Sequence, residues 1–267
     1  MAEGKLSSFF HDVPLALDSY AKTAAMVVEI PRYTQAKFEI SKELPLNPIV
    51  QDTKNGKLRF VNNVFPFHGY PFNYGALPQT WEDPTFSRPQ DRGFFGDNDP
   101  VDVVEIGGQL GQLGLIKTVM ILGALALIDD GEMDWKLIAI DTKDPMAGKL
   151  TNGIKDVEKL MPGALDNLRT WFKNYKRPTG KPENAFAFGG KYLDASEAVN
   201  IIEECHGRWR KLVRGKIKSG LKKLPETANV TLEETPGFQS FVNIQLDSEG
   251  ITGRIPDCIH SVYYYKD

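Results

Sequence analysis

The chain has 267 residues, with 35 acidic against 32 basic side chains and a formal net charge of −3. Hydrophobic residues at 41% and charged residues at 25% describe a globular chain with ample core, and the mild acidity argues against a protein that coats nucleic acid non-specifically. The 2 cysteines, Cys205 and Cys258, exclude a disulfide scaffold and a cysteine-rich zinc site.

Residues 1–30 contain no continuous apolar h-region, so no secretory signal is expected, and the cytoplasm is the expected compartment. Short β-type runs then follow: Met26–Ile30, Phe38–Ile40, Leu58–Val61, Val101–Ile106, Leu115–Ile128 and Trp135–Ile140. The stretch Val119 to Ile128 is apolar except for Gly123. It is about half a membrane span, so it reads as a buried strand and no membrane partner is expected. Turn signals include Asn55-Gly56 and Gly107-Gly108. The run Gly107 to Gly114 misses the G-x-G-x-x-G spacing and reads as a hairpin turn. Five or six short strands without long intervening helices predict a small barrel rather than a doubly wound sheet.

From residue 155 the period becomes helical. Leu168, Trp171, Phe172 and Tyr175 share one helix face, and that helix must end before Pro178 and Gly180. Val199, Ile202, Cys205 or His206, Trp209 and Val213 repeat the pattern behind Asp194 or Ser196 as N-cap. The expectation is one domain over 1–267: a barrel core at about 24–150, a helical part at about 155–223 and a tail at about 225–267. Val262 to Tyr265 reads as an edge strand or an interface segment.

No P-loop, H-E-x-x-H or G-x-S-x-G occurs. The carboxylates are the informative residues. Gly96-Asp97-Asn98-Asp99-Pro100-Val101-Asp102 places three aspartates on a turn that runs into a strand. Their repulsion is relieved by a cation or by partial protonation, and all-oxygen ligands select a hard metal. An EF-hand is rejected, because Val101 and Asp102 stand where its acid and its glycine belong. A solvated acidic turn remains the alternative on spacing alone. A second cluster, Asp129-Asp130-Gly131-Glu132-Met133-Asp134, closes a hairpin, and Asp141 and Asp144 follow it. Two acidic loops at one rim of a barrel would hold several divalent cations, clamp an oxyanion and activate water. Lys37, Glu39, Arg59, the loop Gly69 to Gly75 with Tyr70 and Tyr74, and Tyr175-Lys176 are candidate partners of an anionic substrate; each also reads as solvated face or core.

These residues resemble the soluble family I inorganic pyrophosphatases in their longer eukaryotic form. Asp97 to Val103 fits that family's signature, D-[SGDN]-D-[PE]-[LIVMF]-D-[LIVMGAC]. The resemblance extends to Val28-Glu29-Ile30-Pro31-Arg32, Gln51-Asp52-Thr53-Lys54, Gly56 to Phe60, Asn73-Tyr74-Gly75, Pro78 to Pro84, Gly131-Glu132 with Asp134-Trp135-Lys136, and Gly180 to Asn184. It runs from about His11 to Trp209.

The resemblance implies a five-stranded OB-like β-barrel with flanking helices, and hydrolysis of pyrophosphate with three to four Mg²⁺ per site. Asp97, Asp102 and Asp134 would hold the first ion, with Asp102 shared by the second. Asp129 and Asp134 would help hold a third, and Glu39 a fourth through water, with Glu29 as supporting acid. Asp99 would accept a proton from the attacking water, and Tyr70 would hydrogen-bond around it. Lys37, Arg59, Tyr74, Lys136, Tyr175, Lys176 and Lys181 would contact phosphate. A homodimer is implied around Arg32, Tyr33 and His68, although relatives often carry tryptophan at the position of Tyr33. The segment 208–223 has eight basic residues and no acidic one. It reads as a solvated helix face, or else as a docking surface for an acidic protein or nucleic acid, as in relatives that serve in chromatin-remodelling assemblies.

Overall fold

The computed structural model describes residues 6–91, 93–217, 223–240, 253 and 255–265. In chain order the main elements are β1 (Thr23–Ile30), β2 (Phe38–Ile40), β3 (Ile49–Gln51), β4 (Thr53–Lys54), β5 (Lys57–Leu58), β6 (Asn63–Val64), β7 (Asn73–Ala76), β8 (Asp102–Glu105), β9 (Ile116–Asp129) and β10 (Glu132–Asp141). They are followed by α1 (Ile154–Leu160), α2 (Ala164–Asn174), β11 (Ala185–Phe186), β12 (Leu193–Asp194), α3 (Ala195–Val213) and β13 (Val262–Tyr263). The architecture is mostly β with few helices.

β1 pairs with β7 on one side and with β9 on the other. β7 pairs with β8, β8 runs parallel to β10, and β10 returns antiparallel to β9. Apolar residues alternate along these strands, so the sheet buries both faces. Met133, Trp135, Leu137 and Ala139 of β10 pack with the Ala198, Ile201, Ile202 and Cys205 face of α3. Ile138 and Ile140 point the other way, to Leu168, Trp171 and Phe172 of α2. Lys136 and Asp134 continue this second face toward the start of β10.

β9 changes parity part-way. Val119 and Ile121 share a cluster with Ala124 and Ala126, because the register with β10 shifts between Ile138 and Ala139. One extra residue in β9 switches the face its side chains present. Gly123 sits at this shift, where a Cβ would meet Leu193 O at 2.3 Å and Ile154 Cγ1 at 2.4 Å. The glycine inside the apolar run is therefore a packing requirement.

Several expectations hold. Asn55-Gly56 turns β4 into β5, with φ of 53° and 71°. Asp130-Gly131 closes the β9–β10 hairpin with φ of 49° and 92°, values that favour glycine and tolerate aspartate. Asp194 caps α3, its Oδ1 accepting from the Ser196 and Glu197 amides at 2.8 and 3.0 Å. β13 is an edge strand, parallel to β6.

Others are corrected. The strand expected over Leu58–Val61 shrinks to β5, and Phe60 makes only an isolated bridge to Ala36. The presumed loop Gly69 to Gly75 enters β7 at Asn73, where aromatic side chains are packed in the core. Gly107 to Gly114 is not a hairpin, since the strands it joins, β8 and β9, are not neighbours. It is a crossover loop pinned by Asn73, whose Oδ1 accepts from Gly111 N at 2.8 Å and whose Nδ2 donates to Gln109 O at 2.8 Å. The basic segment 208–223 is not one helix: α3 ends at Val213, and residues 218–222 lie outside the described residues. Arg208 is turned inward, its guanidinium 3.4 Å from the Phe86 ring centre.

Candidate active site

The site is a cavity of about 680 Å³ between the ends of β7–β10, the β2–β5 hairpins and the C-terminal end of α2. Every candidate site residue expected from the sequence lines it, from Glu29 to Lys181. Asp141 and Asp144 do not join this rim. Asp141 pairs with Lys117 at 3.1 Å, and Asp144 Oδ2 accepts from Gly108 N at 2.7 Å, in the crossover-loop network.

The three-aspartate turn is shaped by its own backbone. The Asp97 side chain accepts from the Asp99 amide at 3.0 Å, and Asn98 takes a φ of 72°. Trp81 Nε1 donates to Asn98 Oδ1 at 3.0 Å, fastening the turn to the core. Glu82 and the turn exchange two backbone bonds of 2.9 Å, Glu82 N to Asp99 O and Asn98 N to Glu82 O. Gly96 permits this approach, because a Cβ there would lie 2.4 Å from the Glu82 carbonyl.

The result is a carboxylate cluster. Glu82, Asp97 and Asp134 each bring an oxygen within 4.8 Å of the others. Glu82 Oε1 accepts from Trp135 N at 3.0 Å, whereas the buried Oε2 has no hydrogen-bond partner among the described residues. Burial raises the Glu82 and Asp97 carboxyls well above the usual range, and neighbouring carboxylates push them further. Asp134 is pushed up to about 7 by burial, against the pull of Lys136. A largely buried, mutually repelling, oxygen-only set with an orphaned oxygen fits a hard divalent cation.

Lys136 sits among these acids. On β10 it lies opposite Asp102 of β8. Its Nζ bonds Asp102, donates to Asp134 Oδ1 at 2.5 Å, and reaches Tyr74 Oη at 2.9 Å. Tyr74 Oη in turn donates to Asp102. Burial by itself lowers an ammonium, but Asp102 and Asp134 overcome it and raise Lys136 well above its usual range. At the hairpin, Lys176 bonds Asp129 and Lys181 bonds Asp130, with Tyr175 Oη 3.5 Å from Asp129. Tyr175 is held by Trp171, stacked at 4.7 Å with ring planes 11° apart. Trp171 also packs on Tyr70, whose phenol burial pushes up to about 12.

On the facing wall, Lys37 Nζ donates to Glu39 Oε2 at 2.5 Å and to Asp52 Oδ2 at 2.9 Å, and Arg59 bonds the same Asp52 oxygen. Burial acts to lower Lys37, yet Glu39 and its other neighbours leave it above its usual range. Glu29 is buried behind this wall, accepting from Ile40 N at 2.6 Å, and burial raises its carboxyl well above normal. The cavity therefore joins an acidic floor to a cationic and phenolic wall, as a multiply charged anion with its counter-cations requires.

Residues 26–210 match the family described as inorganic pyrophosphatase. The chain belongs to the inorganic pyrophosphatase family. It is 52% identical over 242 residues to the mitochondrial inorganic pyrophosphatase of Saccharomyces cerevisiae, covering 88% of this chain and 78% of that one. It is 54% identical over 238 residues to the inorganic pyrophosphatase of Kluyveromyces lactis, covering 89% and 82%. The solved inorganic pyrophosphatase of Schistosoma japonicum superposes with a TM-score of 0.88 at 44% identity, covering 97% of this chain and 92% of that one. A truncated vacuolar soluble pyrophosphatase of Trypanosoma cruzi, solved in complex with PPi, gives 0.70 at 42% identity, covering 77% and 79%.

Three residues that back this cavity, each meeting a side chain that lines it, are not singled out by the sequence. Glu82 lies in the Pro78 to Pro84 stretch, but only the Gly96 approach shows that it joins Asp97 and Asp134. Asp52 carries both Lys37 and Arg59. Lys42 pairs with Asp99 at 2.7 Å. Lys42 and Asp52 carried no spacing signal, because each meets its partner across separate loops.

Proposed function

We propose that the chain hydrolyses inorganic pyrophosphate to two orthophosphates in this cavity. The observation that carries the reading is the meeting of Asp97, Asp102, Asp129 and Asp134 with the Lys37, Arg59, Lys136 and Lys176 cations in one cavity of a pyrophosphatase-family chain, with Glu82 backing Asp97 and Asp134. The PPi complex of the Trypanosoma cruzi relative supports the same substrate here.

The bound metal is Mg²⁺ in this reading, three to four ions per site, held by Asp97, Asp102, Asp129 and Asp134, with Glu39 and Glu29 in support. Glu82 joins this set through its unpartnered Oε2. Divalent ions, when bound, offset the charge of the anion and acidify the attacking water. The residues of the chain do the rest. Lys37, Arg59, Tyr74, Lys136, Tyr175, Lys176 and Lys181 bind and orient the two phosphoryl groups. Asp99 accepts the proton of the water as its oxygen attacks one phosphorus. The bond from that phosphorus to the bridging oxygen breaks, and the second phosphate leaves with the electron pair. Tyr70, its phenol kept protonated by burial, donates toward the water site.

The same proposal takes in four finer points. The ring of pairings β1–β7–β8–β10–β9–β1 supports a closed, OB-like five-stranded barrel. A single domain over the whole chain is supported by the return of the tail onto β6. A homodimer around Arg32, Tyr33 and His68 is supported by the exposed Tyr33 ring, and light scattering showing a monomer at micromolar concentration would reject it. A cytoplasmic location is part of the reading, although one yeast relative is named mitochondrial; no described helix is long and apolar enough to cross a membrane.

The test is phosphate release with Mg²⁺ and then with Ca²⁺. Mg²⁺ enforces tight octahedral geometry, while Ca²⁺ takes six to eight ligands at about 2.3–2.6 Å. Calcium is expected to bind and to suppress turnover; equal rates with both metals would contradict the assigned water geometry.

A further inference from the structure

Lys42 meets the cavity through another side chain. Its ammonium pairs with Asp99 Oδ1 at 2.7 Å, and Asp99, not Lys42, lines the cavity. The Asp99 main chain is already fixed, its amide donating to Asp97 Oδ1 at 3.0 Å and its carbonyl accepting from Glu82 N at 2.9 Å. Its side chain is less restrained: 40% of it is exposed, and among the described residues Oδ1 has Lys42 as partner and Oδ2 has none. The lysine, by contrast, stands on a fastened loop between β2 and β3. Ser41 N donates to Pro48 O at 2.9 Å, and Ser41 Oγ accepts from the Glu43 and Leu44 amides at 3.2 and 3.1 Å. The buried Asn47 closes the loop, its Nδ2 donating to Ser41 O and to Glu226 O, each at 3.0 Å. Glu226 N returns to Lys42 O at 2.7 Å, and Glu226 O also accepts from His11 Nε2 at 2.9 Å. Glu226 lies beyond residues 26–210, so a segment outside the family match holds the backbone of Lys42.

We propose that Lys42 is a positioning residue for the proton acceptor Asp99; this rests on the pyrophosphate reading above. A partly exposed carboxylate samples several rotamers unless a partner fixes it. Proton transfer requires an acceptor within hydrogen-bond reach of the water, and a small displacement of a reacting group costs up to about a hundredfold in rate. With Oδ1 held by the ammonium, Oδ2 is left to take the proton that the water gives up as its oxygen bonds phosphorus. A pair this exposed adds little to stability. Its worth lies in direction: the loop fixes the lysine backbone before substrate arrives, so less freedom is lost when the pair forms. Lys37 and Arg59 are built differently, since both line the cavity while sharing Asp52. Lys42 does not line it, and acts through Asp99.

The experiment measures kcat and KM for pyrophosphate at saturating Mg²⁺, with a thermal melt, in the full chain and in Lys42→Met, Lys42→Arg, Asp99→Asn and the double variant Lys42→Met/Asp99→Asn. Lys42→Gln is the second neutral variant should Lys42→Met lose its melt. The expected result for Lys42→Met is a kcat about tenfold lower, a KM within about twofold of the parent and a parental melt. Arginine, which keeps the charge and the donors, should recover most of the loss. In the Asp99→Asn background the same change should lower kcat by no more than about twofold, because the carboxylate it positions is gone. An equal loss in both backgrounds would overturn the proposal, since Lys42 would then act elsewhere. So would a raised KM with parental kcat, which would make Lys42 a substrate contact. A full chain that cleaves no pyrophosphate would strike the functional reading itself; one that cleaves it, with a folded Lys42→Met variant matching it, strikes this proposal alone.

Discussion

Lys136 donates to Asp134 Oδ1 at 2.5 Å from two residues along the same strand, and the same ammonium bonds Asp102 on the neighbouring strand. One cation thus bridges the buried Asp134 and the partly buried Asp102, which would otherwise repel. Replacing it with an apolar side chain of similar length removes the ammonium from both carboxylates and leaves Asp102, among the described residues, only the Tyr74 hydroxyl. Breaking a buried pair in this way costs roughly 3–5 kcal/mol. Lys136→Met is expected to melt well below the parent in EDTA and to recover part of the difference in Mg²⁺, because the ions restore the missing positive charge. A variant that melts like the parent in EDTA would show that the ammonium does not stabilise this cluster.

Glu82 gives a separable effect. Glutamine keeps the shape of the side chain and an acceptor for the Trp135 amide, but it loses the charge at Oε2. Glu82→Gln is expected to weaken divalent-ion binding by about ten- to hundredfold, a usual cost of disturbing a metal's supporting shell. Its melt in EDTA should change little, since burial already disfavours the ionised carboxylate. Titration calorimetry with Mg²⁺ decides the point, and unchanged affinity would remove Glu82 from the ligand set.

Asp99→Asn and Asp102→Asn should fail differently. Asp102 joins Lys136 and Tyr74 at the cavity floor, and its loss is expected to weaken metal binding directly. Asp99 faces Lys42 and is the assigned proton acceptor. Asparagine there is expected to lower kcat by roughly 10²–10⁴-fold with a smaller change in metal affinity. Metal loss in Asp99→Asn with retention in Asp102→Asn would exchange the two roles. Full activity in both would return the turn to a solvated acidic loop.

His11 ties the N-terminal segment to α3 and to the segment after it. Trp209 Nε1 donates to His11 Nδ1 at 2.9 Å, so the ring proton is on Nε2, which donates to Glu226 O at 2.9 Å. Burial lowers the imidazole from 6.5 to about 4. Below pH 6.5 the unfolded chain takes up a proton that the folded chain refuses until about pH 4. The stability contributed by the neutral ring is therefore present above pH 6.5 and is lost as the pH falls toward 4, by roughly 3 kcal/mol. His11→Gln retains one donor and one acceptor without titrating. Denaturant melts across this window should show a flatter acid loss in the variant; parallel curves would contradict the assignment.

Much of the site was legible because its chemistry is written in short spacings. Asp97, Asp99 and Asp102 share one turn, Asp134 and Lys136 share one strand face, and Lys37 and Glu39 meet by the two-residue period. Tyr175 followed from the helix face that carries Trp171. What stayed hidden depends on contacts between distant segments. Glu82 reaches Asp97 only because Gly96 lets two backbones close. Asn73 begins a strand that no hydrophobic period announced, since its neighbours are aromatic or glycine. The Gly107 to Gly114 run has the composition of a hairpin, but the parallel β8–β10 pairing makes it a crossover. Asp141 and Asp144 looked equivalent to Asp129 in sequence, yet Asp129 and Asp141 lie at opposite ends of the β9–β10 hairpin.

The most direct measurement is orthophosphate release from pyrophosphate by the purified full chain at neutral pH, in Mg²⁺ and in EDTA. The cavity described above predicts two orthophosphates per pyrophosphate in Mg²⁺ and near-complete loss of turnover in EDTA, restored when Mg²⁺ is returned. A folded chain that binds Mg²⁺ and releases no phosphate, or one that turns over equally in EDTA, would contradict it.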